Sequence, residues 1–150
     1  MDTLGAMVRS IKPTGRLRYT QIGGYNDNAV ENENCLIHTR GGRVFSGTVQ
    51  PVKASRHVYG DNSALPRDDE ILEIVVDEPV QSPQDVKALG IAPGDFISWD
   101  PRTVVTASGY IKSRHLDDKA SSGILLALAR LAAGGEIALA RSVHLMFTVF

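Results

Sequence analysis

Short runs of β-branched and aromatic residues, each cut off by glycine, proline or asparagine, fill residues 5–113 and leave little room for long helices. Runs of this length pack as strands, and the breakers between them set hairpins and loops. Gly5–Ile11 alternates loosely, and Lys12-Pro13-Thr14-Gly15 turns the chain into 16–22. Residues 35–39 and 44–49 flank Arg40-Gly41-Gly42-Arg43, which reads as a tight hairpin because glycine takes positive φ without steric cost. Leu72–Val76 reads as an apolar core strand, and Phe96–Trp99 and Val104–Val105 continue the pattern. One short helix is punctuated at both ends: Ser82 as N-cap, Pro83 at the first helical position, Asp85 at the third, Gly90 beyond the end. Many short strands with one small helix predict a compact barrel rather than a parallel sheet. Residues 57–69 hold few apolar side chains and are expected as an exposed loop.

Beyond Ser113 the pattern changes. Residues 118–133 predict a helix that is apolar nearly all round and should be buried, with Gly134-Gly135 ending it. Residues 143–150 read as a continuous apolar strand of a doubly covered sheet. One helix and one strand do not complete an α/β layer, so the chain is expected to be an excerpt of a larger protein.

Composition excludes several classes. With 43% hydrophobic and 22% charged residues a packed core is expected, and a net charge of −1 offers no basic face to nucleic acid or an anionic membrane. The apolar window 124–133 is too short to span a bilayer and contains Arg130, so no membrane partner is expected. No basic segment followed by a long apolar stretch opens the chain, which argues against a signal peptide. Cys35 is the only cysteine, which excludes an intramolecular disulfide and a cysteine-based zinc site; a reducing, cytoplasmic setting is the expectation.

Chemistry concentrates at Asp117 and Asp118, where a loop enters the second helix. Two readings stand side by side. Asp117 caps the helix while Asp118 complements its dipole, or a carboxylate here bridges two divalent cations ~3.5–4 Å apart for hydrolysis. The four histidines form no convincing metal cluster. His144 is expected as a hydrogen-bonded core residue and His57 as a solvated loop residue, while His115, adjoining Asp117, is weighed as pointing into the site or standing just behind it, with a place outside the site the stronger reading. Glu31-Asn32-Glu33-Asn34 reads as exposed turn residues, Trp99 as core or interface, and Cys35 as a strand residue with no neighbouring base.

Asp2-Thr3-Leu4-Gly5-Ala6-Met7-Val8, Gly23-Gly24-Tyr25, Gly94-Asp95-Phe96-Ile97-Ser98 and Leu116-Asp117-Asp118-Lys119-Ala120 together resemble the tetrahedral-aminopeptidase family. These are glutamyl or deblocking aminopeptidases, some named as endoglucanases, and the resemblance runs over essentially the whole chain. It implies a mainly β fold with an α/β flank: a small PDZ-like β-barrel that mediates dimerisation, inserted into a two-metal α/β peptidase domain. On that basis 1–8 is a catalytic-domain strand, 9–112 the barrel insert, and 113–150 a catalytic-domain loop, helix and strand. The resemblance makes Asp117 the carboxylate bridging both metals and Asp2 the catalytic aspartate that orients a metal-bound histidine. That histidine would precede Met1, and the Glu-Glu pair carrying the general base, a later Asp and a final His would follow Phe150. Two divalent ions, zinc or cobalt, and a peptide substrate are implied, as is a homo-oligomer between dimer and dodecamer. The expectation is that these 150 residues do not hydrolyse peptides alone.

Overall fold

The structure is a computed structural model and describes residues 3–60 and 64–148. The chain divides into two compact units, Leu4–Asp100 and a second that holds the residues from Pro101 onward.

The first unit is a closed six-stranded antiparallel barrel. Its strands are β1 (Gly5–Ile11), β2 (Leu17–Ile22), β3 (Asn34–His38), β4 (Val44–Pro51), β5 (Leu72–Val76) and β6 (Phe96–Trp99). Around the barrel the order is β1-β2-β5-β4-β3-β6. The hairpins read from the sequence are present. Gly42 adopts φ +82° in the β3–β4 turn, and the register runs from His38 opposite Val44 to Asn34 opposite Thr48. On β3 the alternation is strict: Cys35 and Ile37 point into the core, while Leu36 and His38 face outward. Leu17, Tyr19, Val49, Leu72 and Ile74 are completely buried. Close approach of β4 and β5 requires glycine at position 47, where a Cβ would lie 2.8 Å from the Val75 carbonyl oxygen.

Between β5 and β6 lies α1 (Pro83–Ala88), capped as its sequence predicts. The Asp85 N–H donates to the Ser82 hydroxyl (3.3 Å), and the Gln81 N–H donates to the Asp85 carboxylate (3.0 Å). Val86 and Ile91 are fully buried and join the barrel core.

One core position departs from its sequence reading. Glu73 sits in β5 with its side chain 3% exposed, so the strand is not wholly apolar. Its carboxylate accepts from both Lys12 and Arg16, which flank the β1–β2 turn. A buried carboxylate is tolerated when it is paired and hydrogen-bonded in this way. Residues 5–8, assigned from the sequence to a flanking strand, belong to β1 of the barrel. Residues 101–112, assigned to the barrel, lie in the other unit. The continuous antiparallel pairing of β1 with β2, and of residues 5–7 with β6, draws the boundary there.

The second unit holds a small sheet of β7 (Val104–Val105) and β8 (Ile111–Lys112), followed by α2 (Leu116–Ala133). The helix and its Gly134 terminus agree with the sequence, but its burial does not. Ile124 is 69% and Leu126 59% exposed, and among the described residues of α2 only Ser122 is buried. The expected strand at 143–150 is also not formed across its described part, 143–148, and His144 is exposed there. The cause of both differences is the same. A doubly covered strand needs hydrogen-bonding neighbours and a helix layer needs a sheet, and a two-stranded ribbon supplies neither. Among the described residues no helix is long and apolar enough to cross a membrane.

Candidate metal centre

Asp117 and Asp118 occupy the entrance to α2, and the local backbone there is not helical. Asp117 has φ −86° and ψ 112°, Asp118 has φ −114° and ψ 34°, and the peptide between them is cis. Regular helix therefore begins after Asp118, one residue later than the 118–133 read from the sequence. Both aspartates are exposed, and among the described residues neither carboxylate caps the helix. Instead the Ser122 hydroxyl donates to the Asp118 carbonyl (2.9 Å), which ties down the first turn. Of the two sequence readings, capping by Asp117 has no hydrogen bond to rest on, and an outward carboxylate acceptor remains.

The residues before it are held more firmly. The Arg114 N–H donates to the Pro101 carbonyl (2.9 Å), and Thr103 and Ser113 share a hydroxyl hydrogen bond (2.7 Å) across the β7–β8 ribbon. Pro101, Arg102, Val104, Lys112, Ser113 and Arg114 line a cavity of about 320 Å³ beside this ribbon. His115 follows in the left-handed region (φ 60°, ψ 33°) with its Nε2 buried and without a hydrogen-bond partner. Burial, then the nearby charges of Lys119 and Arg114, hold its imidazole below the ordinary histidine range. His115, two residues from Asp117 in the chain and weighed from the sequence as a neighbour of the site, thus carries a buried ring nitrogen without a hydrogen-bond partner.

The other candidates separate from this loop. His57 is exposed in a turn, as expected. His38 lies on the outside of the barrel, 2.7 Å from the Ser98 hydroxyl. Glu31 is bound by Arg67 at 2.7 Å and is less exposed than its turn-like sequence suggests. Cys35 is buried, and burial followed by the charge of Asp77 pushes its thiol up to about 12, which leaves no thiolate for nucleophilic chemistry. Asp2 lies outside the described residues. Among the described residues no three of His, Cys, Asp and Glu converge on one point. These residues therefore do not compose a complete cation site, and no metal-bound step can be traced through them.

Comparison with known proteins places this loop and barrel in a family. The M42 glutamyl aminopeptidase model matches residues 1–150, and the chain belongs to that family. It is 46% identical over 148 residues to a Bacillus subtilis (strain 168) protein named as an aminopeptidase, YhfE, covering 99% of this chain and 43% of that one. It is 29% identical over 141 residues to the glutamyl aminopeptidase of Lactococcus lactis subsp. cremoris (strain MG1363), covering 91% of this chain and 38% of that one. Among solved structures, the TET1 peptidase of Pyrococcus horikoshii superposes with a TM-score of 0.65 at 25% identity over 79% of this chain and 34% of its own. That protein is described as assembling into a tetrahedron or a large octahedral shell. The chain thus spans less than half the length of the curated relatives it matches.

Proposed function

We propose that this chain serves a metal-dependent aminopeptidase that removes N-terminal residues from short peptides, with Asp117 bridging two divalent cations, zinc or cobalt. The observation that carries the reading is the position of Asp117. It is an exposed, uncapping carboxylate on a non-helical segment at the mouth of α2, in a chain matched end to end by the M42 model. Asp2 is proposed as the partner that orients a metal-binding histidine. A bridging carboxylate in this role orders two cations whose further ligands and general base come from other residues. Residues 113–150 belong on this reading to the catalytic part, and the barrel serves self-association into a homo-oligomer between dimer and dodecamer. The single, buried thiol is consistent with work in the cytoplasm.

Because so few donors converge here, the 150 residues alone are expected to show no turnover of a chromogenic aminoacyl substrate in zinc or cobalt; turnover by the purified chain would overturn that. The function itself is tested by exchange. Substituted for the matching segment of the Bacillus subtilis relative, this chain should support aminoacyl-substrate hydrolysis, and Asp117→Asn in the chimaera should lower kcat by about a hundredfold or more. Undiminished activity in the Asn variant would refute the bridging role.

A further inference from the structure

On the barrel, β2 and β5 pair at one position, Leu17 opposite Ile74, and beyond it they part. The space left open there is a cavity of about 590 Å³, within the roughly 300–1,000 Å³ that small-molecule sites occupy. Three segments build its walls: the β1–β2 turn, β5, and the stretch that leads from β5 into α1. The turn is pressed onto that last stretch. Gly15 is buried with φ +79°, and a Cβ there would lie 3.3 Å from the Ser82 nitrogen. Val52, Val75 and Val80 supply apolar lining, and none of the three is fully buried.

Charged side chains of both signs line the same cavity, and their charges cancel. Lys12 and Arg16 come from the β1–β2 turn, Glu73 from β5 and Glu78 from the segment after it. Glu73 is buried and taken up in holding the two cations, which stay partly exposed. Each cation gives Glu73 one donor, so an ammonium with three and a guanidinium with five keep others for a second acceptor. Glu78 is exposed and lines the cavity with an acceptor-only carboxylate. Cationic donors, a carboxylate acceptor and an apolar surface are thus brought together. A net anion such as phosphate would meet two glutamates here, and a net cation would meet two bases. A molecule that carries one charge of each sign finds a partner for both.

We propose that this cavity binds a small zwitterion with an apolar side chain, a free amino acid or a dipeptide. Its carboxylate lies against Lys12 and Arg16, its ammonium against Glu78, and its side chain against Val52, Val75 and Val80. The site uses neither Asp117 nor Asp2, so it goes beyond the hydrolase reading and does not depend on it. A bound ligand ties the β1–β2 turn to the segment after β5, and occupancy should therefore stabilise the barrel.

Isothermal titration calorimetry of the 150-residue chain with L-leucine and with leucyl-leucine tests it. At least one should bind with a Kd of about 1 mM or below, and the tighter of the two fixes the length of the ligand. For that ligand, N-acetylation, C-terminal amidation or replacement of leucine by glycine should each weaken binding by about tenfold or more. An acetylated or amidated form that binds as well as its parent overturns the zwitterion. Glu78→Gln, at an exposed position, should weaken binding by about tenfold, while Lys112→Gln on β8 should leave it unchanged. The reverse pattern would move binding to the second unit and overturn the assignment. The urea midpoint followed by Trp99 fluorescence should rise with ligand concentration in wild type and much less in Glu78→Gln. Absence of binding by either ligand at about 20 mM overturns the proposal.

Discussion

Replacing Glu73 by Gln tests whether the paired carboxylate in β5 holds the barrel closed. The side chain is 3% exposed, while its partners Lys12 and Arg16 are 25% and 38% exposed. A glutamine of the same shape keeps one acceptor and turns an amide N–H towards the second cation, so one charge-assisted bond is lost and the other weakened. Each such bond is worth about 1.5–3 kcal/mol, and both cations recover part of their hydration because they reach solvent. The expected loss is therefore about 2–3 kcal/mol. With a urea dependence of about 1.5 kcal/mol per molar, the unfolding midpoint should fall by about 1.5 M. Trp99 is the sole tryptophan and is buried against Tyr19 and Tyr25, so its fluorescence reports the barrel unit alone. The companion triple variant, Glu73→Leu with Lys12→Met and Arg16→Met, removes the charges together. It should return to within about 1 kcal/mol of wild type, since apolar replacement of a buried carboxylate together with its cation partners is close to neutral. A Glu73→Gln midpoint within about 0.3 M of wild type, or a triple variant no more stable than the single, would refute the reasoning.

Two further outcomes follow from local electrostatics. Hydrogen bonds from the Gln81 N–H and then the Ser82 hydroxyl hold the Asp85 carboxyl below the ordinary carboxylate range. Its contribution is therefore complete above the unfolded-state value and is lost as pH falls through the lower folded value; Asp85→Asn should flatten the acid limb of urea stability below about pH 4. With its thiol pushed up to about 12 by burial, Cys35 should react with Ellman's reagent at pH 8 about a thousandfold more slowly in native chain than in urea. Rapid native labelling would show that β3 opens readily.

The local grammar of the chain was legible before folding. Strand positions, the Gly42 turn, the Ser82–Asp85 cap and, to within one residue, the onset of α2 all depend on neighbours within a few residues, where steric and hydrogen-bonding preferences act directly. The adjacent carboxylates Asp117 and Asp118 are visible at the helix entrance in the same local way, but the choice of Asp117 over a helix cap rested on the family resemblance of the whole chain. What sequence reading lacked was long-range. That Glu73 in an apolar strand is covered by Lys12 and Arg16 depends on a contact 57 to 61 residues away. That Gly5 and the residues after it close the barrel against β6 depends on ring closure, which no local window contains.

The second unit teaches the converse. Its helix forms from propensity and local bonds as expected, yet burial of α2 and pairing of 143–148 required surfaces that the described residues do not provide. The order of strands and turns was thus written in the amino-acid order. Which side chains are buried and which carboxylate is paired were decided only by tertiary structure. The reason is physical: helix starts and turns are settled by bonds within a few residues, whereas burial and ion pairing are settled by whatever the closed chain brings alongside.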